Sequence, residues 1–230
     1  MSAGFSSLKQ TLGRFREASK PREPVERCEL CGLSLATEHR HLVELASQRL
    51  ICSCEACGLL FSGQATKYRR VPLRFLLLQD FALSDAQWDS LLIPINMAFF
   101  FHNTPRSRAV AIYPSPAGPM ESLLDLSSWS ELVAANPALR SMEPDVEALL
   151  VDRISRNTPQ AGGHERTGAE GPRYFLVPID ACYKLVGLIR AHWRGLSGGQ
   201  GVWGEIEKYF TELASKSQVI DDQSRRFPNV

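Results

Sequence analysis

The chain has 230 residues, enough for one large domain or for a small domain joined to a medium one. Its hydrophobic fraction of 44% and charged fraction of 22% are those of an ordinary globular protein. A net charge of +1 gives no global electrostatic case for binding nucleic acid or an anionic membrane. Apolar runs such as Phe75–Leu78 and Met97–Phe101 are far too short to span a bilayer. The N-terminus lacks the long apolar core and small-residue cleavage site of a secretory signal, so a cytoplasmic location with reduced thiols is expected.

Residues 1–24 form a first segment. Phe5, Leu8, Leu12 and Phe15 recur at helical spacing among Lys9, Arg14 and Arg16. This pattern fits either a disordered tail or a basic amphipathic helix suited to a partner's groove. Pro21 and Pro24 close it.

Residues 25–66 hold the strongest chemical signal. Cys28-Glu-Leu-Cys31-Gly32 is repeated as Cys54-Glu-Ala-Cys57-Gly58. Two thiolates at this spacing can reach one ion, and two such knuckles complete a tetrahedral shell. Glycine after each second cysteine suits a turn that needs a positive φ. Between the knuckles, His39–Leu45 and Arg49–Ser53 read as strands joined by a turn over Ala46–Gln48. The expected metal ligands are Cys28, Cys31, Cys54 and Cys57.

Cys52 lies two residues before Cys54 and shares its strand face, so it stands as an alternative ligand. His39 and His41 also share a face and read as solvent-facing strand residues. Cys182, on a predicted helix, reads as core. A hairpin carrying two knuckles is the architecture of a zinc ribbon or a rubredoxin. Zinc is the expected ion and iron the alternative. The first knuckle lacks the aromatic neighbours with which rubredoxins pack their iron, and Glu55-Ala56 stands where they usually carry a proline. A closed shell of four thiolates leaves no open position for substrate, which implies a structural ion.

Residues 67–217 read as a larger α+β domain of antiparallel strands and several helices. Arg74–Phe81 reads as a strand. Ser84 caps a helix beginning at Asp85. Met97–His102 and Ala109–Tyr113 form a hairpin, Ser115–Pro119 a loop, and Glu121–Leu126 a further strand. Ser127 or Ser128 opens a helix that Pro137 closes. Val146–Ile154 is ambiguous by periodicity but reads as a strand partnered by Tyr174–Pro178. The Gly-, Pro- and Thr-rich stretch 157–172 between them reads as a mobile loop. Asp180 caps a helix to about Trp193. Gly195–Gly201 is a turn, and Val202–Ser215 is a second helix with Val202, Ile206, Tyr209, Phe210 and Leu213 on one face. Residues 218–230 read as a disordered tail.

Two further stretches invite functional readings. Leu196-Ser-Gly-Gly-Gln200 has the spelling of the signature motif of ABC-transporter ATPases. The chain carries no Gly-x-x-x-x-Gly-Lys-Ser/Thr phosphate loop, so the ATPase reading fails and a glycine-rich link remains. Lys67-Tyr-Arg-Arg70 with Arg74 is a small basic patch, but acidic residues surround it in sequence and an exposed linker explains it. His102-Asn103 and Asp80 are the only weak hint of a pocket, and no catalytic arrangement is recognisable. Asp180, Arg190, Trp193 and Arg194 lie in a segment dense in charges, aromatics and glycines, which makes them a candidate partner surface.

Three stretches together resemble a family. They are Arg27–Leu42, Cys52–Phe61 and Pro178–Gly199, the last reading Pro-Ile-Asp-Ala-Cys-Tyr-Lys-Leu-Val-Gly-Leu-Ile-Arg-Ala-His-Trp-Arg-Gly-Leu-Ser-Gly-Gly. They are similar to an uncharacterised bacterial family whose genes tend to lie beside those of uptake nickel–iron hydrogenases. The resemblance implies a context: maturing, assembling or supplying electrons to a hydrogenase. It carries over no catalytic residues. The combined expectation is a non-enzymatic, zinc-binding accessory protein that contacts a hydrogenase subunit or maturation factor. A rubredoxin-like iron electron carrier and a nucleic-acid-binding zinc ribbon are the alternatives.

Overall fold

A computed structural model describes residues 25–63, 66–122, 126–154, 171–195 and 198–221. The N-terminal amphipathic segment and most of the stretch 157–172 lie outside these residues. The protein is α+β, with one small sheet and one large one.

The small sheet has the order β2-β1-β3, with β1 at Arg40–Glu44, β2 at Arg49–Ser53 and β3 at Tyr68–Arg70. The β1–β2 hairpin pairs Arg40 with Ser53 and His41 with Cys52. Its turn uses Gln48 at φ 56. Helix α1, Glu55–Leu60, follows β2 directly. The stretch read as an exposed basic linker is instead strand β3, antiparallel to β1. Its cations are neutralised internally. Lys67 meets Glu44, Arg69 meets Asp145, and Arg70 meets Glu55.

The large sheet has the order β10-β4-β9-β8-β5-β6-β7. Its central strands are β5 (Met97–Asn103), β6 (Arg108–Ser115), β8 (Glu147–Asp152) and β9 (Arg173–Pro178). Its edges are β7 (Gly118–Ser122) and β10 (Gln218–Ile220), and β4 (Leu76–Leu78) lies between β10 and β9. The near-continuous apolar runs of β5 and β8 follow from burial on both faces. Met97, Phe99, Phe101, Ala148, Leu150, Phe175 and Val177 enter one core. Their alternates Ala98, Phe100, Leu149, Val151, Tyr174 and Leu176 enter the other. This period-two division decides Val146–Ile154 in favour of strand, and β9 is its partner as expected.

Helices α4 (Ile179–His192) and α5 (Gly199–Lys216) cover the first face, with Val202, Ile206, Tyr209, Phe210 and Leu213 buried from α5. The second face is covered by α2 (Asp85–Ser90), α3 (Leu126–Ala135) and a 3-10 turn at Pro137–Ser141. Ser84 and Gln87 form a capping box at the start of α2.

Several boundaries differ from expectation. The strand Arg74–Phe81 contracts to β4, because Arg74 is drawn to the fully buried Glu147, with Nε 2.8 Å from Oε1. The loop at Ser115–Pro119 is a tight hairpin in which Ser115 pairs with Gly118 at φ 126. Pro178 rather than Asp180 caps α4. The tail assigned from residue 218 begins with β10, which pairs parallel to β4 and makes the sheet mixed rather than purely antiparallel. Residues 222–230 lie outside the described ones. Among the described residues, no helix is long and apolar enough to cross a membrane.

The small sheet is not a free-standing module. Val43 and Val71 belong to the core shared with α4 and α5. Asp145, fully buried at φ 67, accepts from the Thr104 amide at 2.8 Å and its hydroxyl at 2.6 Å, and reaches Arg69 at 3.5 Å. His41 on β1 is hydrogen-bonded to Asp180 on α4 at 2.9 Å.

Candidate metal centre

The first knuckle is a short loop closed by an Arg27–Ser34 bridge. The Cys28 amide donates to Leu33 O, and the Gly32 amide to Cys28 O, both at 2.8 Å. Gly32 takes φ 75, the conformation its place after the knuckle suggested. The second knuckle is built differently. Cys54 is the N-cap of α1, and its Sγ accepts from the Cys57 amide at 3.4 Å. Gly58 therefore lies inside a helix, and the positive φ expected for it is absent. A side chain there would meet Ser53 Oγ at 3.5 Å, which is ordinary contact.

The two knuckles bring the Sγ atoms of Cys28, Cys31, Cys54 and Cys57 within 4.8 Å of one another. The Cys31–Cys54 separation is 3.7 Å. Sulfurs about 2.3 Å from one tetrahedral zinc ion stand about 3.8 Å apart, so this donor set fits a four-thiolate ion with little movement. Cys28, Cys54 and Cys57 are buried and Cys31 is exposed. Leu30 and Leu35 pack against the buried three, and no aromatic ring joins that cluster among the described residues.

The thiols respond unequally to this crowding. Burial would raise the Cys28 thiol, but the amides of Cys54, Leu30 and Cys31 outweigh it and bring it down to about 6. Burial, then the neighbouring Cys54, Cys31 and Cys28, push Cys57 up to about 12. For Cys31 the Leu33 amide pulls down, yet Cys28 with burial and Cys54 leaves it raised. One thiol ionises readily and its charge opposes the next. A bound cation removes that opposition.

Cys52 is not part of this set. Its neighbours are His39 and His41, and one donor atom from each of these three lies within 4.8 Å of the others. The two histidines are not the solvent-facing residues expected, since their side chains are 8% and 25% exposed. In sequence the two histidines share a face, but nothing joins Cys52 to them. The hairpin register, which pairs His41 with Cys52, was the signal that joins them. A depression of about 450 Å³ runs beside both groups, with His39 and Cys54 in its wall.

The candidate partner surface is divided. Asp180 lies at the start of α4 and is engaged by His41. Arg190 and Arg194 are exposed at the other end of that helix, about 15 Å or more away at 1.5 Å per residue. Trp193 is half-buried edge-on against Trp203, and its Nε1 donates to Gly195 O at 2.9 Å. Arg194 donates to Ala191 O and Trp193 O. Cys182 is fully buried, as expected of a core residue. The small cavity that Asp80 lines, with Phe81 and Asn136, includes neither His102 nor Asn103.

Residues 27–217 match a family of unknown function, DUF5947, and the chain belongs to that family. No curated protein and no solved structure matches the chain.

Proposed function

We propose that this member of the DUF5947 family is a non-enzymatic, zinc-binding accessory protein. Its four-cysteine module is of the zinc-ribbon type, and it acts by protein–protein contact in the maturation or assembly of a nickel–iron hydrogenase. The convergence of four sulfurs at separations suited to tetrahedral zinc carries the metal half of the reading. The all-aliphatic surroundings of the thiols favour zinc over a rubredoxin-like iron. The hydrogenase half rests on the resemblance of the knuckles and of the Pro178–Gly199 segment to a family found beside hydrogenase genes.

Two features support contact with a protein rather than with nucleic acid. Leu33, Leu59, Leu60 and Phe61, on the knuckle loop and the end of α1, remain 58%, 59%, 76% and 45% exposed. Among the described residues, Lys67, Arg69, Arg70 and Arg74 are paired with Glu44, Asp145, Glu55 and Glu147, which takes most of the basic patch beside the knuckles out of play for phosphate binding.

The test joins metal quantification to co-purification from the native host with a tagged hydrogenase subunit. Zinc in the four-cysteine site and recovery of the chain with the subunit are expected. Iron at one equivalent would sink the zinc assignment. Normal hydrogenase assembly in a deletion strain would sink the accessory role.

A further inference from the structure

We infer that His39, His41 and Cys52 form a second metal site, distinct from the four-cysteine centre, that binds a zinc-type divalent ion with one coordination position left open. His39 immediately precedes β1, His41 lies on it, and Cys52 is the cross-strand partner of His41 on β2. Alternate residues of a strand share a face, so the hairpin register brings three soft or borderline donors to one point.

The hydrogen bonds of the imidazoles set their tautomers. His39 Nδ1 lies 3.0 Å from Ala36 O. A carbonyl only accepts, so Nδ1 carries the proton and Nε2 carries the lone pair. That Nε2 is buried and has no hydrogen-bond partner, on a side chain only 8% exposed. An unpaired buried nitrogen is unfavourable, and a metal ion would satisfy it. His41 Nδ1 lies 2.9 Å from Asp180 Oδ2. In the neutral ring it donates to the carboxylate and leaves Nε2 as the donor to metal. Carboxylate–histidine–metal is the usual support of an imidazole ligand. Glu26, whose carboxylate is 3.6 Å from His39 Nδ1, and Glu29, which accepts from the Cys52 amide at 2.9 Å, add negative potential around the site.

Asp180, His41 and Cys52 also have the order of a thiol activated by a histidine–carboxylate pair. That arrangement needs one histidine. It leaves the buried, unpartnered nitrogen of His39 without a role, and the metal site gives it one. Two nitrogens and one sulfur are a tetrahedral donor set short of one ligand, the pattern of sites that keep water or an exchangeable ligand. Through Asp180, such an ion would tie β1 to helix α4.

The test is metal stoichiometry on the full chain, stripped with chelator and reloaded with Zn²⁺ or Co²⁺ alone, with circular dichroism to confirm folding. The wild type should take two ions. Cys52→Ala and His39→Ala should each keep one ion and lose the other, with affinity for the lost ion down at least about 100-fold. Cys31→Ser should keep the ion that Cys52→Ala loses, so failure of the four-cysteine centre and failure of this one are read separately. In the cobalt form, Cys52→Ala should lose only the share of thiolate charge-transfer absorbance that one sulfur supplies, and keep that of the four-cysteine centre. Asp180→Asn, which leaves all three ligands in place, should weaken this ion alone by about 10–100-fold. Unchanged stoichiometry in folded Cys52→Ala and His39→Ala, or a single ion lost only in Cys31→Ser, would overturn the assignment.

Discussion

Removing the ion from the four-cysteine centre should unfold the knuckles and nothing else. The segment Arg27–Leu35 has little to hold it apart from metal. Its backbone bonds are Cys28 N to Leu33 O, Gly32 N to Cys28 O, Glu29 N to Cys52 O and Leu35 N to Glu26 O. At about 1 kcal/mol net each, they contribute about 4 kcal/mol. Fixing about nine residues costs about 1–2 kcal/mol each in backbone entropy alone. Leu30 and Leu35 are only partly buried, so apolar burial does not make up the difference. A structural zinc ion, worth about 10–16 kcal/mol in small modules, is of the size needed. Strands β1–β3 are in another position. Leu42, Val43, Ile51 and Val71 are each at most 2% exposed, and Asp145 and Asp180 anchor the strands to the large domain. Amide hydrogen exchange on Cys31→Ser, or on chelated wild type, should therefore show lost protection over residues 27–35 and 54–60. Protection in β1, β5 and β8 should be unchanged. Intact protection of residues 27–35 in metal-free protein would refute this reasoning. So would loss of protection through β5 and β8.

Three other outcomes follow from the packing. Phe100→Ala removes a fully buried ring that stacks on Trp129 and meets Trp88 edge-on, and should cost about 3–5 kcal/mol in denaturant unfolding without altering metal content. Gly198→Ala places a methyl 2.9 Å from Val202 Cγ1 and 3.1 Å from the Trp193 ring at φ 85, and should destabilise by about 1–3 kcal/mol in the same assay; equal stability would show that the turn relaxes freely. The Glu55 carboxyl is held below its usual range, by Arg70 first and also by Arg40. Its folded form binds a proton less readily than the unfolded chain, so its contribution is full above the unfolded value of about 4.3 and is lost as pH falls through the lower folded value. Glu55→Gln should flatten that part of the acid-unfolding profile, and a profile identical to wild type would refute the assignment.

Much of this organisation is legible in the residues themselves. Paired Cys-x-x-Cys units name a metal site by spacing alone, because two thiolates at that separation reach one ion wherever the loop sits. Ser84 with Gln87 announces the start of a helix, and the apolar run Met97–Phe101 ending at the turn residues Asn103–Ser107 announces a strand, because both are set by near neighbours. Long-range pairing lies beyond that kind of reading. No local pattern indicates that Gln218–Ile220 returns to pair with Leu76–Leu78, or that Asp180 turns inward to His41 across 139 positions of sequence. Periodicity also left Val146–Ile154 undecided, and only burial on two faces made it a strand. Cys52 shows the division most clearly. In sequence it is the neighbour of a ligand and competes with Cys54. In the folded chain the hairpin register sets it across from His41, and it groups with two histidines whose Nδ1 atoms are held by Ala36 and Asp180. Ligand spacing is a property of a few consecutive residues. The company a side chain keeps is decided by which strands and helices pack together, and that depends on the whole core.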